Sequence, residues 1–234
     1  MIILPNTLWQ EEFLNFIKNK RALIIKILIP LILSSPILIP GVPNEIKAGI
    51  FILTILFIGI FSSTIGLIQL KDSKMLQRLA ILPISKKRLI LEYIFIKGFM
   101  DSIKFFLPLV IFIIINLKFF SVIMLSWLLI CYFSTIFTAN SLGILIAVIS
   151  GSSGEAHLYA IISVLFIIGI SGIFGTLNFI ILEITSSILP FKYFSDSISF
   201  FLTGQSQSLL LFAPISCSII LILMLFISNK LFKF

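Results

Sequence analysis

Apolar residues dominate long stretches of this chain and fall into blocks separated by short polar breaks. The blocks cover roughly 22–39, 48–70, 99–117, 119–149, 156–182 and 209–228. Each has about the length a helix needs to cross a hydrocarbon core of about 30 Å, close to 20 residues. The pattern therefore predicts an all-α, polytopic membrane bundle of six transmembrane helices in one domain over 1–234. The breaks fit that reading: Pro40-Gly41-Val42-Pro43-Asn44 and Ser150-Gly151-Ser152-Ser153-Gly154 are turn and loop sequences.

Residues 7–21 predict an amphipathic helix that precedes the first span. Thr7 and Gln10 suit a capping box, and Glu11 and Glu12 sit in the first turn, where the helix dipole favours negative charge. Trp9, Phe13, Phe16 and Ile17 share one face, with Lys18, Lys20 and Arg21 at the end, as in a helix lying in the membrane interface. A plain extension of the first span is the alternative. Met1 to Leu8 has no basic start and no small-residue cleavage pattern follows, so no cleavable signal peptide is expected.

Within the spans, Pro30 and Pro36 predict a bent first helix, and Lys26 can snorkel from it. Gly59, Ser62, Ser63 and Gly66 offer small contact positions on the second, as do Gly169, Gly172 and Gly175 on the fifth. The block 119–149 exceeds what a bilayer needs. It is expected to tilt, to break near Asn140-Ser141-Gly143, or to project into water. Residues 183–208 are too short and polar to cross and predict a re-entrant hairpin at the outer side, with a flexible loop as the alternative.

Composition supports a membrane class: 59% of the chain is hydrophobic, 25 residues are Phe and only 11% are charged, against about 25% in ordinary soluble domains. Cys131 and Cys217 lie inside apolar blocks and read as small hydrophobes. The net charge of +8 does not indicate nucleic acid, because the basic residues are distributed by segment. With the amino terminus inside, inner segments hold 14 basic residues and outer segments only Lys47, Lys118 and Lys192. This positive-inside bias places both termini and the polar loop 71–98 in the cytoplasm, as in the plasma membrane of a prokaryote.

That loop and the first turns of the third span form a dense charged island: Lys71, Asp72, Lys74, Arg78, Lys86, Lys87, Arg88, Glu92, Lys97, Asp101 and Lys104. Ser73 can cap a helix that Pro83 ends, with Met75, Leu76, Leu79 and Leu82 on one arc and Gln77 and Arg78 facing away. Ser85 can cap a second helix that begins Lys86-Lys87-Arg88. Cations there oppose the helix dipole, so anionic headgroups or an acidic protein surface would explain them better than helix stability does. Lys97, Asp101 and Lys104 share a helix face through spacings of four and three. They are expected at the inner boundary, paired and snorkelling, with a place on a transport path as the alternative.

The run Met75-Leu76-Gln77-Arg78-Leu79-Ala80-Ile81-Leu82, followed by Pro83-Ile84-Ser85 and a basic segment, resembles the cytoplasmic loop of type-2 ABC exporter permeases. The interfacial helix, the six spans and the semi-polar outer segment also resemble that family over most of the chain. The resemblance implies a coupling helix that docks into a separate ABC ATPase subunit. Met75, Leu76, Gln77, Arg78, Leu79, Leu82, Pro83 and Ser85 would make the contact. It also implies a dimer with a second permease copy or a homologous permease, set among membrane lipids. No cofactor or metal is implied on this chain; ATP and Mg²⁺ would be held by the partner.

Glu155 and His157 form a lone Glu-x-His with no third ligand in sequence, and a loop contact is the better reading than zinc. No Gly-x-x-x-x-Gly-Lys motif or nucleophile elbow occurs, so the chain is not expected to be an enzyme. Two rivals remain: a haem-exporter-like permease of cytochrome c maturation, and a secondary transporter without an ATPase. The first has only His157 as a candidate axial ligand. The second would normally carry ionisable residues at mid-membrane or an internal repeat.

Overall fold

The computed structural model describes residues 20–39, 41–72, 86–116, 121–170, 186–204 and 212–231, and all of the regular structure assigned there is helical. In chain order come α1 (Lys20–Ser34), α2 (Asn44–Asp72), α3 (Lys86–Ile115), α4 (Val122–Ile149), α5 (Ser153–Ile170), α6 (Pro190–Thr203) and α7 (Phe212–Leu231). The expected interfacial helix (7–21, with Trp9, Phe13, Phe16 and Ile17) and the expected coupling segment, Met75 through Ser85, lie outside the described residues, apart from Lys20 and Arg21 at the start of α1.

Among the described residues, four helices are long and apolar enough to cross a bilayer: Ile46–Asp72, Arg88–Ile115, Val122–Ile149 and Ser153–Ile170. Ile24–Ile37 and Phe212–Met224, which coincide with the first and last expected spans, are shorter apolar helices. The third span begins earlier than its hydropathy suggests. Expected over 99–117, it belongs to one continuous helix from Lys86, because helix continuity depends on local backbone hydrogen bonding and not on contact with lipid.

Proline shapes α1. The helix runs through Pro30, stops at Ser34 and passes into a 3-10 turn over Ser35–Leu38. Pro36 has no N–H to offer the carbonyl of Ile32. Ser35 Oγ donates to that carbonyl instead, at 2.7 Å. Gly41, with φ at +86°, then turns the chain into α2.

The α2–α4 pair is the most extensive contact in the bundle. The two helices run parallel, since contacts advance together along both. Gly59 lies against Ala139 and Gly143 against the backbone of Ile60, where an added Cβ would stand 2.5 Å from the Ile60 carbonyl oxygen. Ser63 Oγ donates to Asn140 Oδ1, Thr64 Oγ1 donates to the Gly143 carbonyl at 2.9 Å, and Lys71 Nζ donates to the Ala147 carbonyl.

The long block is therefore neither broken nor kinked into two helices at Asn140-Ser141-Gly143. The polar groups there are satisfied inside α4, Asn140 Nδ2 donating to the Ile136 carbonyl and Ser141 Oγ to that of Thr138. The small residue Gly143 serves close approach, not a bend.

α3 is antiparallel to this pair and packs on both members. Phe51 of α2 meets Phe105 and Phe112 of α3 edge to face, at centroid distances of 5.5 and 5.0 Å. Within the expected 183–208 hairpin, the described residues 186–204 hold the amphipathic helix α6, preceded by helical residues at 186–188. Its Phe191, Phe194, Ile198 and Phe201 are fully buried at helical spacing, and Gly204 ends it in the left-handed region. Phe194 reaches both Phe51 and Tyr132, and Phe201 reaches Phe112. α6 thus closes the end of the bundle opposite Asp72.

Candidate functional site

Among the described residues, the buried charged side chains Lys97, Asp101 and Lys104 all lie on α3. Spacings of three and four on α3 bring Lys97, Asp101 and Lys104 to one face, and that face turns inward. Lys97 is 8% exposed, Asp101 2% and Lys104 7%. α1 and α2 both pack against α3, and both lysines are buried among the helices. Lys104 Nζ donates to Asp101 Oδ1, which also accepts from Ser62 Oγ at 3.1 Å. Lys104 Nζ lies 3.4 Å from Ser62 Oγ. Burial makes this ion pair costly to break, since the remaining charge would be stranded away from water.

Lys97 is placed by α2. Its Nζ lies over the face of Tyr93, 5.5 Å from the ring centroid. An added Cβ at Gly66 would come within 2.8 Å of that nitrogen, so a residue without a side chain is what lets the lysine fold across α2 here. Tyr132 of α4 braces the same stretch of α3, donating its hydroxyl to the Ser102 carbonyl at 2.6 Å.

Beside this cluster lies a cavity of about 300 Å³ lined by Lys26, Ser62, Ile65, Gly66, Gln69, Lys97, Met100 and Lys104. Its described lining contains three lysines and no carboxylate; Asp101 engages Lys104 without facing the cavity. Ser62 is about 15 Å from the end of α2 at Asp72 by the rise of about 1.5 Å per residue. Asp101 also borders a separate void of about 10 Å³ among Ile55, Ile58, Gly59, Phe105 and Ile136, about the space one water occupies.

Sequence reasoning found the three α3 residues but missed their partners Ser62, Gly66, Gln69 and Lys26 as one constellation. The available signal was the run Ser62, Gly66, Gln69, small or polar at spacings of four and three on an otherwise apolar helix. Glu155 and His157 have local roles. The Glu155 carboxylate accepts from the Gly151 N–H at 2.9 Å while its own N–H donates to Ser152 Oγ at 3.3 Å, a capping arrangement at the start of α5. His157 Nδ1 lies 2.6 Å from the Ser153 carbonyl. Among the described residues, no group of three His, Cys, Asp or Glu side chains could hold a metal ion. Cys131 and Cys217 are free, buried thiols.

Comparison with protein-family models, curated proteins and solved structures gave no match for this chain.

Proposed function

We propose that the chain is the membrane-spanning permease subunit of an ATP-driven exporter of the type-2 ABC kind, with six spans and both ends in the cytoplasm. The observation that carries this reading is the order of features between the second and third long helices. An amphipathic segment over 73–82, the turn Pro83-Ile84-Ser85 and the basic run Lys86-Lys87-Arg88 come in sequence, and α3 starts at that run. On this reading Gln77, Arg78, Leu76 and Leu79 meet a separate ATPase. Two permease copies, or one with a homologous partner, form the path at their interface. ATP-driven movement of the motor subunits then rocks the two halves.

The test is co-purification of the tagged full chain from its native membrane in mild detergent. An ATPase subunit is expected in the complex, and Arg78→Glu with Leu79→Asp should release it while the permease stays folded. Recovery of the intact chain with no ATPase would overturn the reading.

The buried cluster Lys97, Asp101 and Lys104 favours one second reading, a secondary transporter, because ionisable groups inside a helix bundle commonly mark ion or substrate pathways. Transport that survives depletion of ATP and collapses with a proton uncoupler would favour this alternative.

A further inference from the structure

We propose that the part of α1 before Pro30 is a hinged wall of the cavity between α1, α2 and α3, and that it swings about Pro30 to open and close that space. The inference goes beyond the exporter reading and stands whether or not an ATPase drives the chain.

Three observations carry it. First, the backbone of α1 is weakened at one point. Pro30 lies inside the helix and has no N–H to donate to the Lys26 carbonyl, so one helical hydrogen bond is lost by covalent structure alone. Sharp bends in helices concentrate at such residues. Ser34 Oγ donates to the Pro30 carbonyl at 2.7 Å, a side-chain bond of the kind that bends helices.

Second, burial changes at the same residue. Pro30, Ser34 and Ile37 are buried in the bundle. Before Pro30 the pattern inverts: Ile24 and Ile25 are each 55% exposed, Leu28 is 42% and Ile29 45%, and Lys26 is exposed with them. Few buried contacts mean low local stability, so the turns before Pro30 are held weakly and those after it firmly.

Third, the weakly held turns border open space, whereas the walls across from them are fastened. Lys26 reaches the cavity of about 300 Å³ from α1, Ser62, Ile65 and Gly66 line it from α2, and Met100 and Lys104 from α3. α2 is tied to α4 through Ser63 with Asn140 and Thr64 with Gly143. α3 is tied to α4 where Phe95 meets the Phe137 ring at a centroid distance of 5.5 Å and Gly98 lies against the same ring. A missing rung, sparse packing on one side of it and a void to move into are the parts of a hinge.

The experiment uses the purified full chain in a background lacking Cys131 and Cys217. Spin labels at Ile25→Cys and Leu158→Cys, both exposed positions, read the part of α1 before the hinge against α5. Labels at Ile32→Cys and Leu158→Cys read the part after it. The first pair is expected to give a broad distance distribution that narrows in Pro30→Ala, and the second a narrow one with or without that change. Opening of the cavity is read separately, by the reaction of Ile65→Cys with a small charged methanethiosulfonate. Pro30→Ala should slow this reaction about three- to tenfold, the factor that one restored backbone hydrogen bond is worth. Ser152→Cys, in the exposed loop before α5, should react at one rate throughout. Ser62→Cys, nearly isosteric, is the reporter if Ile65→Cys does not fold.

Equal widths for the two label pairs, or a broad Ile25 distribution that Pro30→Ala leaves unchanged, overturns the hinge. A cavity reporter that does not react, or whose rate is indifferent to Pro30→Ala while Ser152→Cys reacts, overturns the gating of the cavity and the proposal with it.

Discussion

The Lys104–Asp101 pair shows how far one buried charge depends on another. Asp101 Oδ1 receives both Lys104 and Ser62, and Asp101 is almost fully enclosed. Removing only one partner strands the other charge, which for buried pairs costs about 3–5 kcal/mol. Asp101→Asn is therefore expected to lower the unfolding midpoint sharply in detergent. Asp101→Leu combined with Lys104→Met should recover most of that loss, because apolar replacement of a whole buried pair is often neutral or better. A double variant no more stable than Asp101→Asn would mean that the pair is not what holds this region together. Glycine gives a second contrast. Gly143→Val forces a side chain into the Ile60 backbone and should destabilise by about 1–3 kcal/mol. Gly154→Ala, with open space around it inside α5, should be neutral or gain up to about 1 kcal/mol. Thermal unfolding of the two variants side by side checks both signs.

Among the elements, α6 carries a titratable group in an unusual setting. Burial pushes the Asp196 carboxyl up from its ordinary range to about 6, and Lys192 one turn earlier opposes the shift only in part. A carboxyl whose folded value is raised holds its proton more tightly in the folded state. Its contribution to stability is then fullest below the unfolded value near 4 and is lost as pH rises through about 6, at up to about 1.4 kcal/mol per unit. The unfolding midpoint should accordingly fall between pH 5 and 7, and Asp196→Asn should flatten that slope and raise the midpoint at pH 7. A slope unchanged by the substitution would assign the pH dependence to other groups.

The helices themselves were largely legible in the sequence, because hydropathy and proline act locally. α2, α4 and the starts of α5 and α7 lie within a few residues of where the apolar blocks put them. What escaped is whatever depends on a neighbour. Nothing in the α3 sequence says that Lys97 and Lys104 are buried among the helices, since spacing fixes which residues share a face and not what the face meets. Asn140 likewise read as a weak point in α4, although its partner Ser63 comes from the other helix of a parallel pair. Pairings of this kind, 77 residues apart in the chain, leave no periodic trace.

At the scale of the whole molecule, the α2–α4 pair has a mechanical consequence. Gly59 on Ala139, Ser63 on Asn140, Thr64 on Gly143 and Lys71 on Ala147 fasten the two helices along some 12 residues of α2, or about 18 Å at about 1.5 Å per residue. Rods bolted at several heights answer a push as one beam. The charged segment that begins after Asp72 hangs from one of these rods, and the loop at Ser150 from the other. On the exporter reading, spin labels at Asp72→Cys and Ser150→Cys, in a background lacking Cys131 and Cys217, should report one narrow distance with and without ATP and the proposed motor subunit. Labels at Asp72→Cys and Arg88→Cys should report a shift. If the first pair broadens while the second holds still, the beam lies elsewhere. A force applied at either loop would otherwise reach the far end of both helices at once.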